Sequence, residues 1–191
     1  EVISYHHDCL PMPAPVSREQ PEHGVWWLID TLMKSEGDIT LIPTGPLTNI
    51  GMALRLEPRI AEKIRQIIFM GGGFKVFNAT AASEFNIWAD PEAAQIVLTS
   101  GVKTITMVPL DATHQANFTR EDEAELRQIG TPLAIAVADL VDERIVAYNA
   151  YQPQDLPDSA PIHDALCVAY LLDPEVLTDV RHMRVDVDIS G

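Results

Sequence analysis

Basic residues are scarce in this chain: 13 Lys and Arg stand against 28 Asp and Glu, a formal net charge of −15. Nucleic-acid binding needs a basic patch to neutralise phosphates, so this balance argues against a nucleic-acid partner. It suits a small neutral substrate or a hard cation, and a well-solvated surface produces it equally well. Cysteine is nearly absent as well. Cys9 and Cys167 make no disulfide framework, and reduced thiols fit a cytoplasmic location. No apolar run is long enough to cross a bilayer, and the first residues carry no basic-plus-apolar signal pattern, so no membrane partner is expected. Repeats, low-complexity tracts and inter-domain linkers are missing, as are a Cys-x-x-Cys pair and a Ser-His-Asp set. What remains is a chain of 191 residues, 47% hydrophobic, enough for a single domain with a real core.

The apolar spacing alternates between strand and helix. Trp26, Ile29, Leu32 and Met33 predict a helix over 25–33, and the β-branched run Ile39–Pro43 predicts a strand. Thr44-Gly45-Pro46 opens a helix over 47–56, interrupted by Glu57-Pro58 and followed by a helix of one or two turns to about Arg65. Gln66–Met70 reads as a buried parallel strand running into Gly71-Gly72-Gly73. A helix starts at Asp90, whose carboxylate suits an N-cap, with Pro91 where a missing N–H costs nothing. Residues 103–109 predict a third strand. This rhythm is that of a mostly parallel open sheet flanked by helices with right-handed crossovers, an α/β fold. Helices over 120–129, from Thr131-Pro132 onward and over 163–172 follow, with a long loop at 148–161. The alternation of Val185, Val187 and Ile189 predicts a last strand over 180–189.

Three places carry candidate chemistry. Ser83 to Val97 is the first. Glu84 and Asn86, two apart in an extended segment, would point one way with Phe85 turned to the other face. With Asn78 upstream they offer acceptors and amide donors to a polyhydroxylated ligand such as a sugar, or else they satisfy backbone groups around a capped helix. The second is the carboxyl end of the sheet, where open parallel sheets bind ligands; Thr44, Gly71–Gly73 and Asp111 fall there. The third is His163-Asp164 at a helix start. It offers a titratable acid beside a hard oxygen ligand, or only a loop residue and a first-turn carboxylate. His6-His7-Asp8 suggests metal ligands, but adjacent histidines more often decorate loops, and no further ligand follows at a recognisable spacing.

Taken together, Pro43-Thr44-Gly45-Pro46-Leu47-Thr48-Asn49-Ile50, Met70-Gly71-Gly72-Gly73-Phe74, Ser83–Ala93, Asp111-Ala112-Thr113-His114-Gln115 and Ile162-His163-Asp164-Ala165-Leu166 resemble the calcium-dependent inosine–uridine nucleoside hydrolases. The resemblance runs from about Trp26 onward, in the family's order. It implies a Rossmann-like core and hydrolysis of purine or pyrimidine ribonucleosides to free base and ribose. It also implies Ca2+ as cofactor and a homo-oligomer, dimer or tetramer. The Thr44 carbonyl and the Asp164 carboxylate would be calcium ligands. Asn78, Glu84 and Asn86 would hold ribose hydroxyls with Met70 packed nearby, Phe85 would pack around sugar or base, and His163 would donate a proton to the departing base. The family's aspartate-rich DxDxxxDD loop, which supplies further calcium ligands and the general base, has no counterpart in Glu1–Asp38. The expectation is therefore the central part of the family's chain, truncated at both ends, with impaired hydrolysis. The rival expectations are a degenerate nucleoside- or sugar-binding protein, and an unrelated sugar- or nucleotide-binding α/β domain.

Overall fold

The computed structural model describes residue 12 and residues 14–189. The His6-His7-Asp8 segment and Cys9 lie outside them. The described residues form two compact units, one of 20–112 with 163–189, the other of 113–162 with residues up to Glu19.

The first unit is the parallel sheet and its helices. Helix α1 (Gly24–Lys34) starts where the His23 ring nitrogen Nδ1 accepts the Val25 N–H, and it buries Val25 and Leu32. Strand β1 (Ile39–Leu41), helix α2 (Thr48–Leu56), a 3-10 turn (Pro58–Glu62) and strand β2 (Ile64–Met70) follow. Only a 3-10 turn forms where one or two helical turns are predicted before Arg65. After β2 come α3 (Phe85–Ala89), α4 (Pro91–Leu98), β3 (Ile105–Val108) and the short α5 (Leu110–Thr113). The order is β1-β2-β3, both pairs parallel, with Leu41 opposite Ile67 and Met70 opposite Val108. β2 is central and buried over most of its length, as its unbroken apolar run predicts.

One core cluster joins Val25, Leu32, Leu54, Ile67, Phe69 and Val97, so α1, α2 and α4 cover the sheet together. Helices α2 and α4 come very close. A Cβ on Gly51 would sit 3.0 Å from the Ala93 Cβ, so glycine is required by proximity here. Asp90 ties the two helices at their starts: Oδ1 accepts the Ala93 N–H at 2.9 Å, and Oδ2 accepts the Thr48 hydroxyl at 2.5 Å.

The second unit holds β4 (Asn117–Thr119), α6 (Arg120–Ile129), α7 (Pro132–Tyr151) and β5 (Ser159–Pro161). Helix α6 begins with a reciprocal Thr119/Asp122 capping box and ends at Gly130, whose φ of 73° is left-handed. Arg127 donates to Asp139 at 2.7 Å and Arg120 pairs with Asp142, which fastens α6 to α7. β4 and β5 pair antiparallel. Both are three residues long and reveal no alternation in sequence, and β5 occupies the end of what the sequence presents as a loop.

Back in the first unit, α8 (Ala165–Leu172) packs Leu166 and Cys167 against Ile42, Ile68, Met70 and Val108. The strand predicted at 180–189 does not form. Val185 and Val187 are half-buried, and Val187 packs on the core, but the segment joins no ladder. Alternation supplies a burial pattern; a strand also needs a neighbour to exchange hydrogen bonds with.

Candidate functional site

The stretch 83–90 departs from its predicted extended form. Glu84 is extended, but Phe85–Ala89 is a short helix, with Glu84 as its N-cap. The segregation expected of a strand is nonetheless achieved by the helical turn: Glu84 and Asn86 are 3% and 8% exposed, while Phe85 is 51% exposed. The Glu84 carboxylate accepts three backbone N–H groups. Oε1 takes Asn86 at 2.9 Å, and Oε2 takes Gly72 at 2.9 Å and Ile87 at 3.3 Å. A buried carboxylate is tolerated because charge-assisted bonds replace its water and the helix start offers partial positive charge.

Asn86 turns its amide toward the sheet. Its Nδ2 donates to the Met70 carbonyl at 3.1 Å and lies 3.4 Å from the Met70 sulfur. Met70 ends β2, and its own N–H donates to the Pro43 carbonyl at 3.1 Å, so the sheet pairing continues one step toward Thr44. Asn78 is exposed and accepts the Phe85 N–H on Oδ1 at 2.9 Å. Met70, Asn78, Glu84 and Asn86 are thus joined in one network at the carboxyl end of the central strand. Phe85 contributes its N–H to it, while its ring lies 6.0 Å from that of Trp88.

The other candidates sit nearby in the same unit. Thr44 is exposed, two residues past Ile42; Asp164 is exposed, two residues before Leu166; His163 is half-buried. Ile42, Leu166 and Met70 share one apolar cluster, so both arms emerge from the packing that supports the end of β2. Asp164 precedes α8 with helical backbone angles and makes no side-chain cap bond to it. Below it, Cys167 is fully buried; burial, with the Asp164 charge adding to it, pushes the thiol up to about 12.

Calcium takes six to eight oxygens, and the Thr44 carbonyl with Asp164 supplies only part of such a shell. Among the described residues no three His, Cys, Asp or Glu side chains converge as a metal cradle. The donors described here therefore do not by themselves fit the ion.

Asp111 has a function that spacing does not disclose. Its carboxylate accepts the N–H groups of Phe74 and Lys75 at 2.6 and 2.9 Å, across more than thirty residues of sequence. Its position after β3 signals proximity to the crevice, but no local pattern signals these partners.

The buried carboxylate–amide network thus sits at the carboxyl end of the central strand of a parallel sheet. Residues 6–191 match the family described as inosine-uridine preferring nucleoside hydrolase, and the chain belongs to it. It is 40% identical over 182 residues to the pyrimidine-specific ribonucleoside hydrolase RihB of Escherichia coli O17:K52:H18, covering 95% of this chain and 56% of that protein. Among solved structures it resembles a purine-preferring ribonucleoside hydrolase from Gardnerella vaginalis, with 34% identity and a TM-score of 0.84 over 94% of this chain and 56% of that one. A plant nucleoside hydrolase, PpNRh1, aligns at 30% identity and a TM-score of 0.79 over 87% of this chain and 52% of its own. The chain spans about half the length of the curated relatives it matches, 56% of the bacterial protein.

Proposed function

We propose that this protein hydrolyses the N-glycosidic bond of purine and/or pyrimidine ribonucleosides, releasing free base and ribose. The observation that carries the reading is the Met70–Asn78–Glu84–Asn86 network at the carboxyl end of β2 in a chain of this family. Glu84, Asn86 and Asn78 hold ribose hydroxyls, with Met70 packed nearby and Phe85 packed around the sugar or base. Acceptors fixed by backbone bonds need no reorganisation as positive charge develops on the ribosyl carbon, so they favour the oxocarbenium-like transition state over the substrate. His163 donates a proton to the departing base.

Thr44 and Asp164 contribute two oxygen donors to a calcium site. No step is assigned to the ion. Relatives bear both purine-preferring and pyrimidine-specific names, which supports a ribonucleoside without fixing its base. The proposal extends to a cytoplasmic homo-oligomer, dimer or tetramer. Trp26 and Trp27, each more than half exposed on α1, support association, and a buried, unpaired Cys167 suits a reducing compartment.

A second reading is that the protein binds nucleoside or ribose without turnover. Ribose release from inosine and uridine, measured with calcium and with chelator, separates the two. Calcium-dependent release supports hydrolysis. Binding of nucleoside without release, in folded protein, supports the second reading, and neither binding nor release refutes both.

A further inference from the structure

The loop leaving β2 is held by two carboxylates. Glu84 takes the N–H of Gly72 at its start, at 2.9 Å. Asp111 takes the N–H groups of Phe74 and Lys75 in its middle, one on each oxygen. The Leu110 N–H also donates to the Gly72 carbonyl at 3.0 Å, so the segment after β3 grips the loop through three bonds. The loop has little freedom of its own. Gly72 has a φ of +74°, and a Cβ on Gly73 would lie 2.0 Å from the Val76 carbonyl oxygen. At its far end Asn78 accepts the Phe85 N–H.

We infer that Asp111 is a positioning residue for the sugar: by clamping Phe74 and Lys75 it sets the path of the Gly71–Asn78 loop, and through that path the placement of Asn78 and Glu84. The inference rests on the reading of those two side chains as ribose contacts. Asp111 acts through backbone, so its two oxygens matter more than its charge. An asparagine there keeps one acceptor and turns an NH2 toward the other N–H, releasing one point of the clamp. Phe74 and Lys75 are exposed, so water replaces the lost bond and stability changes little.

Asp111→Asn should leave the unfolding temperature within roughly 4 °C of the parent. It should lower kcat/KM for a ribonucleoside about tenfold, about 1.4 kcal/mol, with the larger share of the loss in kcat, because the contacts it positions favour the transition state. In the Asn78→Ala background the same change should cost less than it does in the parent, since one of the two groups being positioned is gone. Amide hydrogen exchange at Gly72 and Phe85 should quicken about tenfold in Asp111→Asn. Independent, multiplying losses in the double variant overturn the inference, and so does unchanged protection at Gly72 and Phe85. If the parent protein neither binds nor cleaves any ribonucleoside, the functional reading fails. Exchange at the two amides then decides by itself whether Asp111 sets the loop.

Discussion

Glu84→Gln tests the centre of the site with almost no change of shape. The carboxylate holds three backbone N–H groups on two oxygens: Asn86 on Oε1, Gly72 and Ile87 on Oε2. A glutamine keeps one acceptor oxygen. Turned so that this oxygen serves Gly72 and Ile87, it presents its NH2 to the Asn86 N–H and leaves that donor unpaired at a residue only 8% exposed. An unsatisfied buried donor costs about 1–3 kcal/mol, and the two surviving bonds lose their charge assistance. The sum is about 2–3 kcal/mol of stability. For a domain of this size that is roughly 4–12 °C in unfolding temperature. Thermal and urea unfolding should agree on it. Activity adds a second readout: if Glu84 also holds a ribose hydroxyl, kcat/KM per folded molecule should fall about 10- to 150-fold, the worth of one hydrogen bond to a charged group. A variant as stable as the parent would refute the claim that this carboxylate organises the loop and α3. A destabilised variant with full activity per folded molecule would leave the cap and remove the sugar contact.

Further changes probe the packing and the other candidates. Gly51→Ala should destabilise by about 1–3 kcal/mol, because its Cβ meets Ala93 Cβ and Cα at 3.0 and 3.1 Å, both parts of a rigid neighbouring helix; urea unfolding that shows a gain, the helix-propensity result, would mean α2 and α4 sit farther apart. Cys167 should resist thiol reagents in the native protein and react only on unfolding, and fast labelling of folded protein would contradict its burial. Its folded pKa of about 12 lies above the ordinary value of 9.0, so the stability it contributes is full below about pH 9 and is lost as pH climbs toward 12; Cys167→Ala should flatten that alkaline part of the unfolding curve. His163→Ala should slow pyrimidine nucleosides more than ribosides with good leaving groups, and equal losses on both would remove it from proton donation.

How legible each part was depends on the distance over which its cause acts. β2 and α4 are readable because an unbroken apolar run and an Asp-Pro start are local causes. Asp90 caps α4 as its position predicts, yet its bond to the Thr48 hydroxyl crosses 42 residues and has no local sign. The segment 85–89 misleads for the opposite reason. Five residues are too few to display a helical period, and Glu is not among the strongly preferred caps, so the two-residue spacing reads as strand. Over 180–189 the alternation is genuine, but the segment pairs with none of the described strands. Asp111 shows the limit most clearly. Its place beside the crevice follows from the order of the strands, and its partners Phe74 and Lys75 follow only from the folded path of a glycine loop.

The two readings of Glu84, structural cap and ligand contact, are not rivals once geometry is considered. An ionised carboxylate has about four acceptor positions, and three backbone N–H groups occupy three of them. About one remains for a hydroxyl. The bonds that make the residue look structural are also what would fix that last acceptor in place, with little rotamer freedom to lose when a ligand arrives. A free-swinging surface glutamate would have to surrender that freedom at each binding event. Capping a five-residue helix with a buried glutamate is an expensive way to start so short an element. It becomes economical if the same bonds also preorganise a polar contact at the carboxyl end of β2. Asp111 extends that logic one step outward, because the Gly72 N–H that steadies Glu84 belongs to the loop that Asp111 holds.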